Sequence, residues 1–149
     1  LWEREMESYK NLIDENRAMG ELDHPEDSVV NLKNVSHNIT EYWWDGDNVM
    51  GKIEILPTPS GNILKALIES GITVGVSSRG MGSLKPVGEV QEVQDDFQLL
   101  CWDFVSTPSN PGSYMHLVKE GLDFSNSDNY LKVNAVITEI LCSKGNCPI

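Results

Sequence analysis

Basic residues are scarce in this chain of 149 residues: 11 Lys and Arg stand against 23 Asp and Glu, a formal net charge of −12. Such a balance excludes a nucleic-acid surface built from clustered Lys and Arg. No apolar run approaches the roughly 20 residues of a membrane-spanning helix, and no basic-then-apolar leader reads as a signal peptide. Cysteines are few and odd in number (Cys101, Cys142 and Cys147), without a CxxC pair. That usage points to a reduced, intracellular protein. HExxH or similar ligand spacing is missing, so neither a metal nor another cofactor is expected. What remains is an ordinary globular composition, 40% hydrophobic and 23% charged, and enough length for one domain over residues 1–149 with a sizeable core. The chain opens at Leu1, without methionine and inside a helical pattern, as a fragment or processed form would.

Trp2, Met6, Tyr9 and Ile13 make one stripe of an amphipathic helix, which Gly20 is placed to end. Residues 21–34 are polar, with Pro25, and read as a loop or short extended segment. From Val35 to Trp44 the residues alternate, with Val35, His37, Ile39 and Trp43 on one face. Asp45-Gly46-Asp47-Asn48 is hairpin chemistry, and Val49, Gly51, Ile53 and Ile55 continue a second strand. Thr58-Pro59 predicts a helix N-cap, Ile63, Leu64, Leu67 and Ile68 its apolar face, and Gly71 its close. Ile72–Val76 reads as a short buried strand leading into a glycine-rich turn. Residues 87–94 and 96–105 read as an antiparallel pair and 107–112 as loop. Tyr130, Val133, Ile137 and Ile140 predict a last helix within a tail, 113–149, that is otherwise unassigned. The sum is an α+β chain with a mainly antiparallel β-barrel or curved sheet and flanking helices.

Chemistry is sought first in Gly75-Val76-Ser77-Ser78-Arg79-Gly80-Met81-Gly82-Ser83. Glycines let a ligand approach the backbone, and a hydroxyl and a guanidinium supply a nucleophile and a fixed charge. The run is neither a GxSxG elbow nor a phosphate loop. Ser77 ends the apolar strand, Ser78 points to the other face, and Ser83 serves the turn. Charge is unevenly spread: residues 1–27 hold nine acids and three bases, whereas 52–85 hold four bases and two acids. The region around Ser77 is thus the locally positive one, fitting a site that receives an acidic group.

Serine needs an imidazole, and the imidazole an orienting group. His37, beside Ile39, reads as a core histidine with a satisfied hydrogen bond, and His116 as a surface or packing residue. His24 lies in a polar segment that no helix or strand face claims, which leaves it free to be the base. Asp103, within Leu99-Leu100-Cys101-Trp102-Asp103-Phe104-Val105, is a buried carboxylate that needs a partner. Glu21 and Asp23, adjoining His24, are its rivals.

Gly20-Glu21-Leu22-Asp23-His24-Pro25, Trp43-Trp44-Asp45-Gly46 and Gly75–Leu84 occur in this order, and in them the chain resembles the prohead core protein proteases of large tailed bacteriophages, from the opening helix to about Pro111. The resemblance implies a serine endopeptidase of capsid maturation, distantly related in fold to the herpesvirus assemblin proteases. It implies His24 as base and Ser77 as nucleophile, with Asp103 our choice of third member. Backbone N–H groups from Arg79 through Gly80 and Met81 to Gly82 would bind the oxyanion, and Arg79 would assist there or bind substrate. It further implies scaffold (core) and major capsid proteins as substrates, cleavage after glutamate, and action inside the assembling prohead in the host cytoplasm. No nucleic-acid or membrane partner is expected, and homo-oligomerisation is left open. The family's strand region before the first helix is not found here. The rival readings are an inactive structural or scaffold-binding module of the same fold, and a metal-dependent hydrolase using His24, Asp23 and another histidine.

Overall fold

The apolar stripe forms helix α1, Trp2–Asp14, and buries Met6 and Tyr9. The computed structural model describes residues 1–118 and 134–140. α1 is ended by Asn16 in the left-handed region (φ 58°), not by Gly20. Gly20 lies instead in strand β1, Met19–Glu21. A Cβ there would come within 2.0 Å of the Trp102 carbonyl oxygen and 2.4 Å of the His37 ring, so glycine is required for close approach rather than for a turn.

The hairpin forms as the alternation predicts: β2 (Val35–Asp45) and β3 (Asn48–Ile55) are antiparallel around Gly46 at φ 61°. Its register shifts between Ile39 and Glu41. An inserted residue reverses the alternation, so Tyr42 packs against the core and Trp43 is exposed. Helix α2, Pro59–Glu69, starts where expected: the Thr58 hydroxyl accepts the Gly61 N–H at 2.9 Å, and Pro59 occupies the first turn. Gly71, at φ 80°, follows its last turn. Gly61, Leu64 and Ile68 face inward, while Ile63 faces solvent.

The next region departs from expectation. Strand β4 is Gly75–Met81, so Ser77 and Arg79 lie within a strand and the glycine-rich run is not a turn until Gly82. Gly80 has its own reason: a Cβ would meet the Phe97 ring at 2.3 Å. β5 (Leu84–Val87) and β6 (Val90–Val93) pair with each other, turned by Gly88 at φ 66°. β7 (Gln98–Val105) pairs with β4, not with the 87–94 segment. Ser83 does serve this turn, its backbone N–H and hydroxyl both donating to Asp96 Oδ1. Beyond the 107–112 loop, β8 (Met115–Val118) pairs with β9 (Asn134–Ile140). The predicted last helix is therefore corrected for 134–140, where Ala135-Val136-Ile137 is rich in β-branched residues that favour strand; Tyr130 and Val133 lie outside the described residues.

The five-stranded sheet runs β1-β2-β3-β9-β8, and β4-β7 forms a separate ribbon. Each outer edge of that ribbon touches one end of the sheet through an isolated bridge, Gly75 with Tyr114 and Leu22 with Phe104. Neither junction is a ladder, so the strands curve around the core without closing a barrel. One side of the ribbon contributes Val76, Trp102 and Phe104 to the core with Met6, Ile39, Ile53 and Leu64. Among the described residues no helix is long and apolar enough to cross a membrane.

Candidate active site

Ser77 stands directly opposite Asp103 in the β4–β7 ladder, and Arg79 opposite Cys101. Opposed residues share a face, so these four side chains line the ribbon's second side, the one turned away from Val76 and Phe104. All four are buried. The register then shifts beyond Arg79, where Leu100 is inserted on β7, and the alternation that set this face ends there.

The segment after β1 runs alongside β7. The Glu21 N–H donates to Asp103 Oδ1 (2.9 Å), Leu22 bridges Phe104, and the Asp23 N–H donates to the Phe104 carbonyl oxygen (2.7 Å). Asp23 then turns the chain at φ 72°, its carboxylate accepting the His24 N–H at 3.0 Å. This turn puts His24 Nδ1 3.0 Å from Asp103 Oδ2, the imidazole half exposed and the carboxylate fully buried. Of the three acids open as its partner, Asp103 is the one at the ring: Asp23 holds the His24 backbone and Glu21 bonds the Arg79 guanidinium.

Asp103 is crowded with donors. Cys101 Sγ lies 3.3 Å and Arg79 Nη2 3.4 Å from Oδ1, with Arg79 Nε 2.9 Å from Oδ2. Oδ2 nevertheless lacks an aligned hydrogen bond. It is held by the charge of Arg79, whose Nε lies 2.9 Å away. Burial opposes the Arg79 charge, but the hydrogen bond to Glu21 and the fields of Cys101 and Asp103 outweigh it and raise its pKa. Burial, reinforced by Asp103, pushes the Cys101 thiol up to about 12, so it stays protonated. Glu21, Asp103 and Arg79 together carry one net negative charge, and His24 Nδ1 sits against it.

The Ser77 hydroxyl makes no hydrogen bond to His24 or any other described residue. Such contacts commonly tighten only with substrate in place. Gly80 and Met81 close β4 and Gly82 follows it. Past Val76, whose N–H donates to the Ser113 carbonyl oxygen at 2.9 Å, the outer edge of β4 has no strand partner among the described residues. Three of the four bases in 52–85 are committed to acids: Lys52 pairs with Glu41, Lys65 with Glu69, and Arg79 with Glu21 and Asp103. His37 is a core residue, as its strand position predicts. Its Nδ1 meets Ser36 Oγ at 2.8 Å and its Nε2 the Trp102 carbonyl oxygen at 2.9 Å. The side chain of His116 lies outside the described residues. No group of three or more His, Cys, Asp and Glu among the described residues is placed to hold a metal.

An imidazole beside a buried carboxylate that shares its face with a serine is the equipment of acyl-transfer hydrolases. Comparison with known proteins gives the particular kind. The family model of the prohead core protein serine proteases matches residues 2–123, and the chain belongs to that family. It is similar to the prohead core protein protease of Enterobacteria phage T4, 35% identical over 103 residues that make up 66% of this chain and 49% of that protein. The chain thus spans about half the length of that curated relative. The solved structure of the bacteriophage T4 capsid assembly protease superposes with a TM-score of 0.67 at 31% identity, covering 72% of this chain and 68% of the other.

Proposed function

We propose that this chain carries the catalytic site of a serine endopeptidase that cleaves scaffold and capsid proteins in the assembling prohead, in the host cytoplasm. The observation that carries the reading is His24 Nδ1 at 3.0 Å from the buried carboxylate of Asp103, with Ser77 opposite Asp103 on the same face. His24 Nε2 takes the Ser77 proton as Oγ attacks the scissile carbonyl. The tetrahedral oxyanion is bound by backbone N–H groups along Arg79–Gly82, each worth about 3 kcal/mol. His24 then gives the proton to the leaving amine, and water releases the acyl group by the same exchange. Asp103 holds the ring tautomer and stabilises the imidazolium. The open edge of β4 suits a substrate that adds as an extended strand. Cleavage after glutamate and a fold kinship with the herpesvirus assemblin proteases belong to the proposal on the strength of the family resemblance. The near-ring of strands supports the second; the paired bases leave the first without added support.

The test is Ser77→Ala co-expressed with the matching scaffold protein. Cleavage falls at least about a thousandfold; undiminished cleavage overturns the assignment of Ser77 as nucleophile.

A further inference from the structure

We infer that Glu21 is a positioning residue of this site: through its bond to Arg79 it sets the net charge that Asp103 presents to His24. The inference rests on the protease reading for its purpose but not for its physics. Glu21 is fully buried, with one carboxylate oxygen on Arg79 Nη2 and the other, Oε1, without a partner. A buried ion pair is no stronger structurally than well-packed apolar side chains of the same size, so packing alone does not account for it.

The charges do. Arg79 lies 2.9 Å from Asp103 Oδ2, the same oxygen that faces His24. An Arg79 with no other partner would neutralise the Asp103 charge that faces the imidazole. Glu21 takes up the guanidinium charge, so the buried cluster keeps one negative charge for His24. The charged and titratable groups around His24 are Asp103 and Cys101 from β7, Arg79 from β4, Glu21 from β1, and Asp23 of its own segment, whose carboxylate is turned to the backbone. Glu21 also fixes Asp103 directly, but through its backbone N–H. A change of side chain leaves that bond in place.

The experiment follows the His24 ring by NMR titration in the purified Ser77→Ala protein, where no self-cleavage intervenes. Glu21→Gln lowers the His24 pKa by about one unit, a tenfold change in its acid constant. Arg79→Gln raises it, and the double variant E21Q/R79Q returns it towards the parent. A fold defect would not reverse sign in this way. Should E21Q alone fail to fold, the step from R79Q to E21Q/R79Q measures the same charge and shows the same fall. An unmoved or raised His24 pKa in those comparisons overturns the inference. With Ser77 intact, E21Q moves the acid limb of kcat/KM to lower pH with KM unchanged; lost activity with an unmoved limb makes Glu21 merely structural. Because the titration needs no substrate, its outcome stands apart from the Ser77→Ala cleavage test.

Discussion

Asp103 is the residue on which the site turns, because one carboxylate meets a backbone amide, a guanidinium, a thiol and the imidazole. Replacing it by Asn keeps the shape but removes the charge and presents the wrong hydrogen-bonding group to Nδ1–H. Asp103→Asn lowers kcat by about four orders of magnitude, with the circular dichroism spectrum unchanged; near-normal turnover would move the orienting role elsewhere. Asp103 was legible in the sequence as a carboxylate in an apolar strand. Glu21 was legible only as a rival for the same role. The missed signal is Arg79: a guanidinium alternating with Ser77 on an apolar strand is buried too, and needs a carboxylate of its own.

At the level of elements, chemistry that acts locally was readable and chemistry that acts across the fold was not. The β2–β3 turn and both ends of α2 follow from residues adjacent in sequence. Thr58 does more than its N-cap position implies, since its hydroxyl also donates to the Val35 carbonyl oxygen. Thr58→Ala, by losing cap and tether together, lowers unfolding free energy by about 1–2 kcal/mol in denaturant melts; no loss would show α2 held by packing alone. The glycines of β4 misread as a turn because glycine signals either a bend or a close neighbour. Gly80 has the second reason, Phe97, and that neighbour is set by the α1 contacts. Arg4 donates to the Asp95 and Phe97 carbonyls, and Trp2 lies against the Phe97 ring. Nothing within the run Gly75–Ser83 encodes this. Likewise Val133, Ile137 and Ile140 fit a helical period, but pairing with β3 makes 134–140 a strand.

At the scale of the molecule, one buried base couples folding to pH. Burial, partly offset by its bond to the Trp102 carbonyl, lowers the His37 pKa from 6.5 to about 4. The unfolded chain then binds a proton below 6.5 that the folded one refuses. The stability from neutral His37 is complete above pH 6.5 and falls as pH drops towards 4, by on the order of 3 kcal/mol. Denaturant midpoints of the parent should slope downward across this range, and those of His37→Gln should slope less; equal slopes would assign the acid sensitivity to carboxylates.

The seam between the Glu21–His24 segment and β7 has a kinetic meaning as well. Ser77 and Asp103 meet within one local ribbon, but the Glu21 amide reaches Asp103 across 82 positions of sequence. Contacts of such separation form late, after the intervening strands and helices have bounded the loop. A chain still folding would then, in the proposed mechanism, bring Ser77 and Asp103 together before His24 joins them. In the proposed mechanism the peptidase is silent through most of its own folding, and closing this seam is the step that switches it on.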